Sequence, residues 1–143
     1  MANFAKKFKI MTREEKIRQS VDNKAAGYNC AQAVACSFCQ EAGLDEETMR
    51  RATAAYGAGM GCMEGTCGAL TGAAMVVGLI NKEKAPAMAE MKKIMTAFKA
   101  KNGSTICWDL TASGTGKPVR DCPGCVADAA GLLYDELEAG GVD

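Results

Sequence analysis

The chain is 143 residues long, with 17 basic and 17 acidic side chains, eight cysteines, nine methionines and no histidine. That length suits one domain around one core, and a formal net charge of zero gives no overall field to draw in nucleic acid or an anionic membrane. The lack of histidine excludes Ser/His and Cys/His catalytic pairs, histidine metal ligands and Cys-x-x-Cys-His haem attachment, and leaves sulfur as the chemistry in unusual supply.

Met1 to Ile10 carries charge but no apolar run of signal-peptide length, so the expected location is cytoplasmic. Cysteines are poor structural staples in that reducing compartment, and a concentration of them points to metal binding or thiol redox chemistry. Residues 1–24 hold seven positive and three negative charges, whereas residues 121–143 hold six negative and none positive. These read as solvated helix faces that can pair with each other.

No stretch alternates like a strand, and several segments have helical spacing with clear end signals. Thr12-Arg13-Glu14-Glu15 matches a capping box, and Ile10, Ile17 and Val21 give the first helix an apolar stripe. Gly27 interrupts it, and Asn29 caps a second helix running through Ala31, Val34, Ala35 and Phe38 to a stop at Gly43. Asp45 caps a third, with Met49, Ala52 and Tyr56 inward. A glycine-dense loop, Gly57 to Gly65, follows.

Thr66 is placed to cap a fourth helix, Cys67 to Ile80, which is apolar all round and has small residues at four-residue spacing. It is too short to cross a bilayer and is expected to be the hub of the fold. A fifth helix starts at Pro86, with Met88, Met91, Met95 and Phe98 inward, and ends at Gly103. A short turn holds Cys107 and Trp108, and a loop rich in Ser, Thr, Gly and Lys leads to a last helix from Cys122-Pro123 that packs Val126, Ala129, Leu133 and Leu137. The expectation is an all-α, compact single-domain bundle over residues 1–143, with about five to seven helices around a central apolar helix at about 66–80.

On this map Cys30, Cys67, Cys122 and Cys125 fall at helix starts, where unpaired N–H groups and the helix dipole favour thiolate over thiol. Cys122-Pro123-Gly124-Cys125 is a Cys-x-x-Cys pair opening a helix, suited to a reacting and a resolving thiol, but without the preceding strand of a thioredoxin-like fold. Cys36 and Cys39 share one face of the second helix and read as core packing. Cys62 lies in the glycine loop, within reach of Cys67.

Four blocks then carry a family resemblance: Gly27-Tyr28-Asn29-Cys30-Ala31-Gln32-Ala33-Val34, Gly57 to Gly72, Gly103 to Leu110, and Cys122 to Ala129. Over residues 27–130 the chain resembles the small bacterial and archaeal proteins named for a C-GCAxxG-C-C pattern, to which redox activity is ascribed from their cysteines. The resemblance implies that the signature cysteines are Cys30, Cys67, Cys107 and Cys122, and that they converge, here as a sulfur-lined pocket under the glycine loop. Cys36, Cys39, Cys62 and Cys125 lie outside the signature.

The expected function is cysteine-based thiol/disulfide electron transfer, with an unidentified redox partner protein. In that reading Cys67 attacks or is attacked, and Cys30, Cys107 or Cys122 resolves. Thiolate activation falls to helix dipoles and to Lys117 or Arg120. A thiol-disulfide oxidoreductase fits this reading, and no cofactor is required by it. Two alternatives stay open: a Cys-ligated binding module for an iron–sulfur cluster or zinc, whose close-paired ligand spacings are absent here, and a non-catalytic helical interaction domain. Nucleic acid and membrane insertion are not expected, and self-association stays open.

Overall fold

Thr12 and Glu15 open the first helix, α1 (Arg13–Ala25), as a capping box: Thr12 Oγ1 accepts from the Glu15 N–H at 3.1 Å and Glu15 Oε1 from the Thr12 N–H at 2.8 Å. The structure is a computed structural model that describes residues 11–111 and 117–140. Ile10 of the predicted stripe, the Met1–Ile10 segment and most of the Ser/Thr/Gly/Lys loop lie outside those described residues.

Ile17 and Val21 pack on the core as their spacing predicts. The same side of α1 also buries Lys16 and Ser20. Lys16 Nζ donates to the Ser37 carbonyl at 2.6 Å and pairs with Glu41 Oε2 at 2.7 Å, while Ser20 Oγ meets Ser37 Oγ at 2.9 Å. Buried polar groups are tolerable when bonded in this way.

Gly27, at φ +111°, turns the chain, and Asn29 caps α2 (Cys30–Ala35) in a second capping box closed by Gln32, with bonds of 2.8 and 3.0 Å. The predicted continuous helix to Gly43 is divided. A 3-10 turn, Cys36–Phe38, separates α2 from the single turn α3 (Cys39–Ala42), which stops at Gly43 with φ +71°. Asp45 caps α4 (Glu46–Ala52) through the Thr48 N–H at 2.9 Å. Met49 is fully buried, but Thr53 and not Ala52 occupies the next inward place, because Thr53 is the residue one helical turn beyond Met49.

After a π-type turn, Gly59–Met63, come α5 (Gly68–Asn81), α6 (Lys84–Asn102), α7 (Cys107–Leu110) and α8 (Cys122–Gly140). The all-α expectation holds among the described residues, which form eight α-helices and no strand. The eighth arises from the division of the second predicted helix. None of the described helices is long and apolar enough to cross a membrane.

Helix α5 packs against α2, α3, α6 and α8 and is the hub, with Ala69, Leu70, Ala73, Val76 and Val77 buried. Its remaining side is open, where Thr71, Ala74, Met75 and Leu79 line a groove with Tyr56 and Met60. In α6, Ile94 and Phe98 are buried and Met91 and Met95 pack on the core, but Met88 is 68% exposed. Ala87 takes the place in register with Met91, one helical turn on, so Met88 points about 100° away. Pro86 sits in the first turn of α6, which starts two residues earlier than predicted. Val126, Ala129 and Leu133 of α8 are buried with Leu137 packed on them, and Arg13 reaches Asp135 at 2.8 Å, joining the basic and acidic ends of the chain.

Candidate functional site

Helix α5 starts one residue later than its sequence predicts. Thr66 does not cap it; it forms an antiparallel bridge with Ile106, leaving Cys67 at the capping position. Around this bridge the Cys67 N–H donates to the Thr105 carbonyl at 2.8 Å and the Cys107 N–H to the Gly65 carbonyl at 3.0 Å. Residues forty apart in sequence are thereby held side by side by backbone bonds.

The glycine loop closes over them. Its Gly65 N–H donates to the Gly59 carbonyl at 3.0 Å, and a Cβ on Gly59, at φ +58°, would lie 2.6 Å from Cys107 Cβ. Three non-glycine residues of this loop, Ala58, Met60 and Met63, also hold positive φ, a conformation that costs energy and persists only where its surroundings enforce it. Cys30 arrives from the start of α2, its Cβ 3.1 Å from where a side chain on Gly68 would begin.

Helix α8 brings Cys122 and Cys125. Asp121 caps it, accepting from the Gly124 N–H at 2.8 Å, and the Cys125 thiol faces the Arg120 carbonyl, with Sγ 3.9 Å from the oxygen. Arg120 is clamped by the buried Asp128, with Nε–Oδ2 3.0 Å and Nη2–Oδ1 3.1 Å, and Lys101 Nζ reaches the same carboxylate at 2.5 Å. Burial pushes the Asp128 carboxyl up, but the hydrogen bonds from Arg120, Lys101 and Asn102 outweigh it and hold its pKa below the ordinary value. The resulting stabilisation is complete above the ordinary carboxylate range and disappears as pH falls through the lower native value. Asp128→Asn is expected to cost about 1 kcal/mol at pH 7, the partners being partly solvated. Urea unfolding should show that gap closing as pH is taken from 7 to below 3.

The product of these placements is a cavity of about 210 Å³ lined by Cys30, Cys67, Cys107, Cys122 and Cys125, with Ala58, Met63 and Leu110 among its apolar walls and Lys24 and Asn29 also on its lining. Cys67, Cys107, Cys30 and Cys125 are buried, at 5%, 7%, 7% and 2% exposure. Cys122 is half-buried and is the most open of the five. All four sequence-predicted cysteines therefore line one space. Cys125, which lies outside the signature, joins them, whereas Cys62 is exposed and Cys36 and Cys39 lie elsewhere.

Four of the five sulfurs act on one another's titration in two pairs, Cys30 with Cys122 and Cys67 with Cys125. The neighbouring Cys30 thiol lowers the Cys122 pKa to about 6, with Lys24 helping and burial and Asp121 opposing. Cys122 and burial push Cys30 up. The neighbouring Cys125 thiol lowers Cys67 against the effect of its burial, with the Ala69 and Leu70 N–H groups assisting, and Cys67 and burial raise Cys125. Cys107 is pushed up by burial and by the neighbouring Cys67 and Cys122 sulfurs. The cation that helps lower Cys122 is Lys24 from the end of α1, while the Arg120 guanidinium is taken by Asp128. Lys24 lies in the last turn of α1, six residues before Cys30, and nothing in its local sequence marks it as a cavity residue. The eight cysteines are not cross-linked. Among the described residues, no three Cys, Asp or Glu side chains are arranged as a metal-ion site.

No curated protein and no solved structure matches the chain. A family profile does, over residues 28–136, and its family is described as "Putative redox-active protein (C_GCAxxG_C_C)". That match covers more than three-quarters of the sequence and includes all five cavity cysteines. The chain belongs to the C-GCAxxG-C-C family of cysteine-rich proteins described as redox-active.

Proposed function

We propose that the cavity is a thiol/disulfide exchange centre that carries electron pairs to and from a partner disulfide. The observation that supports this reading is the arrangement of sulfur: one half-exposed cysteine, Cys122, at a helix start and lining the same cavity as the buried Cys30, with a second thiol pair, Cys67 and Cys125, on that cavity. A thiolate is the attacking species in such exchange, and a neighbouring thiol completes it.

In this reading the entry point is Cys122 and not Cys67, which is more enclosed. The Cys122 thiolate attacks one sulfur of a disulfide RSSR; the S–S bond breaks and RS⁻ leaves. Cys30 then gives up its proton, its sulfur attacks Cys122 Sγ in the mixed disulfide, and the second RS⁻ leaves. Two electrons have passed from the Cys30/Cys122 dithiol to the substrate, which with the released proton and one from solvent gives two RSH. The reverse sequence reduces the centre. Cys67 and Cys125 form an inner couple, accessible to exchange with the outer one across the cavity.

The test is thiol counting on the anaerobically purified protein, fully reduced and then fully oxidised by a small disulfide, with metal analysis on the same sample. The expected outcome is reversible loss of thiols in twos, with Cys30 and Cys122 in the first pair. A stoichiometric metal or cluster protecting the cavity thiols would replace this reading with a Cys-ligated binding module. Cavity thiols unchanged by either treatment would leave an interaction domain.

A further inference from the structure

Cys36 and Cys39 belong to no part of that cavity. The 3-10 turn Cys36–Phe38 breaks the helix between α2 and α3 at just this point. In an α-helix, side chains three residues apart are offset around the axis; in a 3-10 turn they eclipse. Cys36 opens that turn and Cys39 directly follows it, near enough for each sulfur to shift the other's titration. Residues three apart on a helical turn are also within the Cα separation of ~4.4–6.8 Å that a disulfide spans. Cys36 is 8% exposed, enclosed beside the fully buried Phe38, while Cys39 is half-open to solvent. A buried partner behind a reachable one is the same division that separates Cys30 from Cys122.

The surroundings differ in charge. Glu46, Asp45 and Glu41 all bear on Cys39, and Glu46 on Cys36, with Arg50 the opposing cation. Glu41 is held by Lys16, and Arg50 lies over the Tyr28 ring. The approach to Cys39 is thus acidic, whereas Cys122 is served by Lys24.

We propose that Cys36 and Cys39 form a second dithiol/disulfide couple, outside the cavity, that exchanges with neutral or cationic disulfides in preference to anionic ones. Cys39, whose thiolate is favoured by the neighbouring Cys36 thiol although burial opposes it, attacks a disulfide RSSR, and RS⁻ leaves. Cys36 loses its proton and attacks Cys39 Sγ, releasing the second RS⁻. Two electrons pass from the dithiol to the disulfide, and the products are two RSH and a Cys36–Cys39 disulfide.

The couple can be read on the unaltered protein. The reduced chain is exposed separately to cystamine, a dication, and to glutathione disulfide, an anion, then quenched by alkylation and digested after lysine and arginine. Residues 121–143 carry Cys122 and Cys125 on one peptide, and residues 25–50 carry Cys30, Cys36 and Cys39 on another, to be localised by fragmentation. The expected result is joint loss of the Cys36 and Cys39 tags. The cystamine-to-glutathione rate ratio should be several-fold larger for this pair than for Cys122 in the same sample, with the difference shrinking at high salt. Cys39→Ser should leave Cys36 alkylatable while Cys122 reacts unchanged. Persistence of both thiols after Cys122 has reacted, an unresolved Cys39 mixed disulfide, or equal rate ratios at the two sites would overturn the proposal without touching the cavity reading, which is scored on its own peptide.

Discussion

Replacing Cys122 with serine is expected to slow oxidation of the cavity thiols by a small disulfide at least ~100-fold at pH 7, because the other four lining sulfurs are buried and exchange requires in-line access to a thiolate. In the unaltered protein the rate should follow the Cys122 titration near pH 6. It is flat above that value and falls about tenfold for each unit below it, since protonation removes the nucleophile. Cys30→Ala separates activation from simple presence of the sulfur. Without the Cys30 thiol, the Cys122 pKa moves up toward the ordinary thiol value of ~8.5, so the inflection of the profile moves up by about two units. The net rate at pH 7 changes only a few-fold, because the more basic thiolate is intrinsically a better nucleophile and offsets its scarcity. The variant should also stop at the mixed disulfide, for lack of the resolving sulfur. A profile that keeps its inflection near pH 6 in Cys30→Ala would remove Cys30 from the account of Cys122 activation.

Gly72→Ala is expected to be the most destabilising single methyl that can be added to the fold's centre. A Cβ there would lie 2.4 Å from the Ala31 carbonyl oxygen and 2.8 Å from Ala31 Cα. Those atoms are the backbone of α2, and no side chain can swing aside to relieve the contact. Helices α2 and α5 must separate, losing close packing among Val34, Ala35, Ala69 and Ala73, all of them fully buried. Overpacking of a core costs up to about 3 kcal/mol, and a rigid backbone neighbour puts this site at the upper end. For a domain of this size that corresponds to a melting temperature lower by about 6–12 °C. The consequence reaches the site as well. Cys30 rides on α2 and Cys67 on the start of α5, so separating the helices should weaken sulfur pairing on the cavity and slow its oxidation. Gly78→Ala is the control: it lies in the same helix with nothing within 4 Å of the added carbon, and alanine there should be neutral or stabilising by a few tenths to about 1 kcal/mol.

The capping signals were the most legible part of the sequence, because a cap is a local exchange between side chain and backbone over three residues. Thr12, Asn29 and Asp45 all cap the helices they were expected to cap. Periodicity was legible to within one residue. It misassigned Met88 and Ala52 because 3.6-residue spacing leaves two adjacent candidates for each inward place, and only the neighbouring helix selects between Ala87 and Met88 or between Ala52 and Thr53. Thr66 was misread as a cap because its role comes from Ile106, forty residues away.

The composition by itself narrowed the chemistry: eight cysteines and no histidine remove imidazole catalysis and leave sulfur in unusual supply. The caps, glycines and apolar stripes determined an all-helical chain with Cys67 at the head of its most apolar helix. The tertiary structure decided which sulfurs meet. Cys125 joined the cavity and Cys62 did not, Lys24 and not Arg120 came to the thiolate, and Cys122 became the accessible member. These outcomes depend on how closely α2, α5 and α8 approach, and a sequence records the small residues that permit such approach without recording which partner arrives.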